Sequence, residues 1–270
     1  MFHQIADSLD FSRHGRQLSS IRLAAAAMAG LAIAIAAQRS DPRTILMGVG
    51  VAAIAVLLVI EAGRSVRGIS NRSQMAREAA VLAERHYIDV LRRIVRIVES
   101  RDRYTHGHSQ RVGQLAGRIA TQLGLPDDLR QALVVAGELL DIGLLAVSDE
   151  ILNKRSGFGP SDLRSVQKHS EVSYEVLKPL ASLSDVMGGI RYHHERMNGT
   201  GYPRGLSGQE VPLQARVLAV ADAYDAITHD RPHRSALSPL QALREMQRCT
   251  PAGYDEACVS ALAKILNLGD

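Results

Sequence analysis

Tryptophan is absent from this 270-residue chain, and aromatic residues make up only 4% of it. Strands draw on aromatic and β-branched side chains, so the scarcity argues against a mainly β architecture. Hydrophobic content is nevertheless 46%, and it rests on Ala, Leu and Val, which suits helices. Cysteine is nearly missing too, with Cys249 and Cys258 alone. Two thiols without repeated or metal-ligand spacing exclude a disulfide framework and read as reduced, partly buried side chains. The net charge is only +4, and the basic excess gathers between Arg64 and Arg103. No nucleic-acid recognition motif accompanies that stretch, so DNA is not an expected partner. Beside an apolar segment, such charge reads as membrane orientation and attraction to anionic lipid.

Long apolar runs are present. Residues 23–37 and 44–60 are uncharged and predominantly apolar. A helix needs about 17–25 residues to cross the hydrocarbon core, so the second run suffices and the first is short unless Ile21 joins it and Arg22 snorkels. Gln38 to Arg43, with Pro42, separate them as a hairpin turn. Arg13, Arg16 and Arg22 precede the pair and Arg64, Arg67, Arg72 and Arg77 follow, against Arg39 and Arg43 between the spans. That count predicts a two-span inner-membrane protein with both termini and the C-terminal domain cytoplasmic. A cleaved signal peptide, with a small-residue site at Ala34-Ile35-Ala36, is the weaker alternative because the second span would still follow.

Three regions are expected: 1–63 with the hairpin, a connecting or dimerising helix over 64–100, and an all-α domain over 101–270. Val81, Ile88 and Val95 recur every seven positions, with Leu91 and Val98 in the companion position. Such a stripe either pairs two helices into a homodimer or packs on its own domain. Further helices are predicted over 108–122, 126–140, 161–180, 183–194, 212–229, 238–248 and 254–266. Ser238-Pro239-Leu240-Gln241 forms a capping box with Pro at the first helical position.

Within the apolar helical runs, a few polar residues need an explanation. They are His108, Asp141, His169, the adjacent pair His193-His194, and Asp222 inside Val217 to Ala221 and beyond. A carboxylate in such a run costs several kcal/mol to bury unless it is paired or bound to a metal. Consecutive helix positions diverge by about 100°, so His193 and His194 would divide between two ions, or between an ion and a phosphate. Mixed imidazole and carboxylate ligands suit iron, manganese or zinc, and a two-metal site suits phosphodiester cleavage. Behind the paired histidines lies a glycine-rich turn with Gly201, Tyr202 and Pro203.

The segments RDRYTHGHSQRV, LLDIGLLAVSDEILNK, VQKHSEVSYEVL, HHERMNGTGYPRGLSGQEVP and RVLAVADAYDAITHDRPHRSALSP resemble, in this order and spacing, the HD-GYP family over roughly residues 98 to 265. The resemblance implies a helical HD-superfamily domain, a centre of two or three metal ions, and hydrolysis of the bacterial messenger cyclic di-GMP. It implies His108, Asp141, His169, His193, His194 and Asp222 as metal ligands, with Asp141 bridging and Asp141 and Asp222 catalytic. It implies a nucleotide-holding set of Gly201, Tyr202, Pro203, Arg231 and Arg234, and signalling partners such as GGDEF-domain proteins.

Departures from the family pattern bear on activity. The His-Asp pair is Leu140-Asp141 here, and the lysine expected three residues later is Leu144. His233 stands for a tyrosine, and Met197-Asn198 for Trp-Asp. Losing one imidazole weakens one metal position, so the expected centre holds two ions, one, or none. Glu138, two positions before Leu140, faces away and is no substitute. The expectation is a membrane-anchored cyclic di-GMP phosphodiesterase with weakened hydrolysis; the alternative is an inactive cyclic di-GMP receptor or partner-binding module.

Overall fold

The computed structural model describes residues 24, 26–28, 30–31, 34–35, 38, 42–101, 106–154, 159–231 and 235–267. Arg234, His233, most of the first apolar run, and the arginines at 13, 16, 22 and 39 lie outside them. The architecture is all-helical, with no strand among the described residues and an isolated antiparallel bridge between Asn198 and Ser207. The chain divides into two compact units, Met1–Ala83 and Glu84–Asp270.

Helix α1 runs from Pro42 to Ser100. Proline suits its first position because that N–H has no intrahelical partner anyway. In the first unit many of its apolar side chains are exposed, Leu46 at 75% and Met47 at 73%, while Ala55 is buried. Among the described residues it is the helix long and apolar enough to cross a membrane.

The second unit comprises the last turns of α1 followed by α2 (His108–Gln122), α3 (Asp127–Leu139), a 3-10 turn (Ile142–Ala146) and α4 (Asp149–Leu152). Then come α5 (Pro160–Gln167), α6 (His169–Leu177), a second 3-10 turn (Ala181–Val186) and α7 (Met187–Tyr192). A short 3-10 turn (Gly208–Glu210), α8 (Leu213–Thr228), α9 (Pro239–Arg248) and α10 (Glu256–Ile265) complete it. Val112, Ile119, Leu133, Leu139, Leu177, Ile190, Leu218 and Leu262 are among the side chains that meet in one apolar core. Each such leucine contributes roughly 1.5–3 kcal/mol by leaving water. Ile88, Leu91 and Val95 join the same core, and Val98 is buried as well. Those four positions of the heptad stripe therefore serve the chain's own domain, while Val81 is 52% exposed.

Local rules set several ends. Ser238 Oγ accepts from the Gln241 N–H while Gln241 Oε1 accepts from the Ser238 N–H at 3.0 Å, the expected capping box. Asp255 caps α10 by accepting from the Cys258 N–H at 3.0 Å. Two expectations need correction. The helix predicted over 161–180 is two, α5 and α6, and the one over 183–194 is a 3-10 turn followed by α7. Both breaks place histidines, as the site shows.

Candidate metal centre

Five separate segments bring the six candidate ligands together. His108 opens α2, Asp141 sits in the turn after α3, and His169 opens α6. His193 and His194 follow the end of α7, and Asp222 lies within α8. Asp141 faces both sides of the cluster, with Oδ1 3.3 Å from His169 Nε2 and Oδ2 3.5 Å from His108 Nε2. Asp222 Oδ1 lies 3.3 Å from the same His108 nitrogen. The adjacent histidines do not diverge as helical geometry suggested. Beyond the end of α7 their ring centroids are 4.0 Å apart, and their Nε2 atoms lie 3.4 Å and 3.2 Å from His169 Nε2.

The tautomers follow from the partners of the other ring nitrogens. His169 Nδ1 lies 2.7 Å from the Val166 carbonyl, and His193 Nδ1 lies 2.7 Å from the Ile190 carbonyl. A carbonyl only accepts, so each Nδ1 donates, and Nε2 is the atom that each ring turns toward the cluster, where its neutral form would offer a lone pair. Burial, and then the neighbouring His169, push the His193 pKa down and favour that neutral form. Two neutral rings at this 3.4 Å separation would set lone pair against lone pair, a repulsion that a cation shared between them would relieve. His169, His193 and His194 offer ligand atoms that all lie within 4.8 Å of one another. The donor set therefore fits a divalent transition metal, with the ring orientations fixed from behind.

His108 sits in a different field. Its Nδ1 is 2.7 Å from Asp225 Oδ2, and Arg111 donates to both oxygens of Asp225, at 2.6 and 3.0 Å. Burial works against a charged His108, but hydrogen bonds to Asp141, Asp222 and Asp225 outweigh it and hold its pKa well above the ordinary value. Burial would likewise raise the two carboxylates, yet His108 and the other imidazoles hold Asp141 and Asp222 below the usual range. Asp225 is held at about 2 despite its burial by His108 and Arg111. His108 thus lies among three carboxylates, Asp141, Asp222 and Asp225, a field that favours positive charge.

The turn carrying Gly201, Tyr202 and Pro203 is built against the paired histidines. A Cβ on Gly201 would lie 2.4 Å from the Glu195 Cα, so only glycine allows the approach. Tyr202 donates its backbone N–H to the His194 carbonyl at 3.2 Å and stacks its ring on His194 at 4.7 Å between centroids. Burial, then the charges of Asp141 and Asp222, push its hydroxyl pKa up. Glu195, only 2% exposed, accepts the N–H groups of Arg204 and Leu206 at 2.7 and 3.0 Å and closes the turn. Arg231 is partly exposed.

Leu140 is 1% exposed and belongs to the apolar core. Its carbonyl accepts from Ser173 Oγ at 2.5 Å, and that same oxygen accepts the Gly143 N–H at 2.9 Å. A Cβ on Gly143 would lie 2.0 Å from the His169 carbonyl oxygen, so α6 and the turn after Asp141 meet backbone to backbone. Glu138 is taken by Arg92 at 2.7 Å. The sequence reading missed Asp225, Arg111, Glu195 and Glu99. Asp225 lies three residues after Asp222, and Arg111 three after His108, a helical neighbour spacing that could have flagged both.

Comparison with known proteins places the fold in a family. Residues 92–258 match the HD domain family. A 3'3'-cGAMP-specific phosphodiesterase of Vibrio cholerae is 38% identical over 173 residues, covering 64% of this chain and 38% of that protein. A cyclic di-GMP phosphodiesterase of Pseudomonas aeruginosa is 38% identical (66% and 42% covered), and one of Thermotoga maritima is 33% identical (66% and 49%). The chain spans less than half the length of these curated relatives. The solved structure of a cyclic GMP-AMP specific phosphodiesterase of V. cholerae superposes with a TM-score of 0.51 at 18% identity, covering 66% of this chain and 48% of that one, a shared fold. With its matched segment spanning every candidate ligand, the chain belongs to the HD domain family.

Proposed function

We propose that this protein is a membrane-anchored, metal-dependent phosphodiesterase of the HD-GYP kind acting on a guanine-containing cyclic dinucleotide, cyclic di-GMP or 3'3'-cGAMP. One observation carries the reading: three imidazole Nε2 atoms converge beside a carboxylate that also faces His108. His169, His193, His194 and one oxygen of Asp141 would hold one ion. His108, Asp222 and the other Asp141 oxygen would hold a second, iron, manganese or zinc. Such ions supply Lewis-acid polarisation of the phosphodiester and an acidified water. Tyr202, stacked on His194, offers a ring face and a protonated hydroxyl to the nucleotide, within the turn of Gly201 and Pro203. Arg231 and Arg234 supply always-charged planar forks for phosphate.

Leu140 supports a weakened enzyme, since a core leucine replaces an imidazole and leaves the His108 position short of one ligand. The same observation favours a second reading, an inactive cyclic di-GMP receptor. Purifying the full chain anaerobically in lipid nanodiscs, measuring bound metals and following both dinucleotides separates the two. Slow, metal-dependent hydrolysis supports the enzyme; tight binding without turnover supports the receptor; neither binding nor metal defeats both.

The membrane part of the proposal places spans at 23–37 and 44–60 in the inner membrane, with the C-terminal domain cytoplasmic. The apolar exposed face of α1 supports it. The division into 1–63, 64–100 and 101–270 is kept with it. A homodimer would have to use positions of α1 other than Ile88, Leu91, Val95 and Val98, which are already buried.

A further inference from the structure

The last turn of α1 and the residue just beyond it contact the segment around His108 and the turn that follows Asp141, without contributing a ligand. Glu99 is only 6% exposed. Its carboxylate accepts the Gly107 N–H at 3.0 Å and the Ser109 N–H at 2.7 Å, the two amides that flank His108. A buried carboxylate on the first turn of a helix satisfies donors that have no intrahelical partner and opposes the helix dipole. Two bonds to one carboxylate also fix the rotation of the turn between them, and with it the direction of the His108 ring. Asp225 fixes that ring from its Nδ1 side, so Glu99 and Asp225 hold His108 by backbone and by side chain respectively.

Arg101 does the corresponding work for Asp141. It donates to the Val147 carbonyl at 2.9 Å and the Leu144 carbonyl at 3.5 Å, at the end of the 3-10 turn that starts beside Asp141. Asp149 holds the same guanidinium at 2.5 Å. The turn is thus fastened at its far end by Arg101 and at its near end by Ser173.

We propose that Glu99 and Arg101 are positioning residues through which the end of α1 sets the metal centre, Glu99 aligning His108 and Arg101 aligning the turn after Asp141. This rests on the metal-centre reading above. Its consequence is selective: Glu99 governs the position formed with Asp222, and not the one formed with His194.

Cobalt(II) titration of the metal-free full chain, followed by its visible spectrum, reads this directly. Asp222→Asn and His194→Ala assign the two binding phases of the wild-type protein. Glu99→Gln should weaken the Asp222-dependent phase about tenfold or more, in the range seen when partners of metal ligands are removed. The His194-dependent phase and the metal-free melting temperature should hold. Glu99→Asp keeps the charge but withdraws the carboxylate by one methylene, and should show the same selective loss should the Gln variant fold poorly. Arg101→Met should weaken both phases, because Asp141 serves both positions. Unchanged phases in the Glu99 variants, or equal weakening of both alongside a lowered melting temperature, overturn the proposal. A wild-type protein with no cobalt phase overturns the metal-centre reading itself, and this inference with it.

Discussion

His108 Nδ1 and Asp225 Oδ2 lie 2.7 Å apart although 117 positions separate them in the chain. Arg111 grips the same carboxylate from the other side, so Asp225 cannot turn away from the imidazole. Asp225→Asn should therefore leave the fold intact and loosen the ring. The expected outcome is a loss of metal affinity of about 10–100-fold, measured by chelator competition. Unaltered affinity would mean that His108 takes no part in holding an ion.

Position 140 links stability to activity in opposite senses. Leu140→His with Leu144→Lys should raise metal retention and cyclic dinucleotide turnover. It should also lower stability by about 1–3 kcal/mol, because a core leucine is lost to a polar ring. Turnover assays and thermal melts on the same preparation check both. A variant that binds metal yet stays inert would show that the missing imidazole is not what limits hydrolysis.

Gly143→Ala tests the contact between α6 and the turn after Asp141. The new Cβ would fall 2.0 Å from the His169 carbonyl oxygen and 2.8 Å from the Ser173 nitrogen. Neither is a flexible chain end, so the backbone must move. Overpacking of about 1–3 kcal/mol or more is expected, with weakened metal binding beside it. Calorimetry of the metal-free protein isolates the packing part.

The two thiols should differ in reactivity. Cys258 is fully buried, and burial followed by the charge of Asp255 pushes its pKa up. Cys249 is half-buried. Since the thiolate is the reacting form, an alkylating reagent at neutral pH should modify Cys249 first and Cys258 only on unfolding. Mass spectrometry of a labelling time course reads the order.

A reporter fused after Asp270 should behave as cytoplasmic in whole cells. A periplasmic signal would overturn the two-span arrangement.

Much of the candidate site could be picked out before the fold because its members are polar residues in apolar runs, where burial needs a partner. His108–Gln122 and the capping box at Ser238 also followed from pattern and end signals. The break between α5 and α6 did not, since Gln167-Lys168-His169 contains no glycine or proline. Tertiary demands set it: His169 begins a new helix with its ring tied to the Val166 carbonyl. His193 and His194 were misjudged for the same reason, because α7 ends before them. Glu99 escaped notice because an acid near a helix end beside Val95 and Val98 looks like a solvated position until its two amide partners are known.

The hydroxyl of Ser173 meets the peptide groups on either side of Asp141, taking the Gly143 N–H and giving its own proton to the Leu140 carbonyl. Every residue type brings that carbonyl, whatever its side chain. The threading of the turn and the aim of the aspartate therefore do not depend on which side chain stands at 140, and a leucine there is compatible with an assembled cluster.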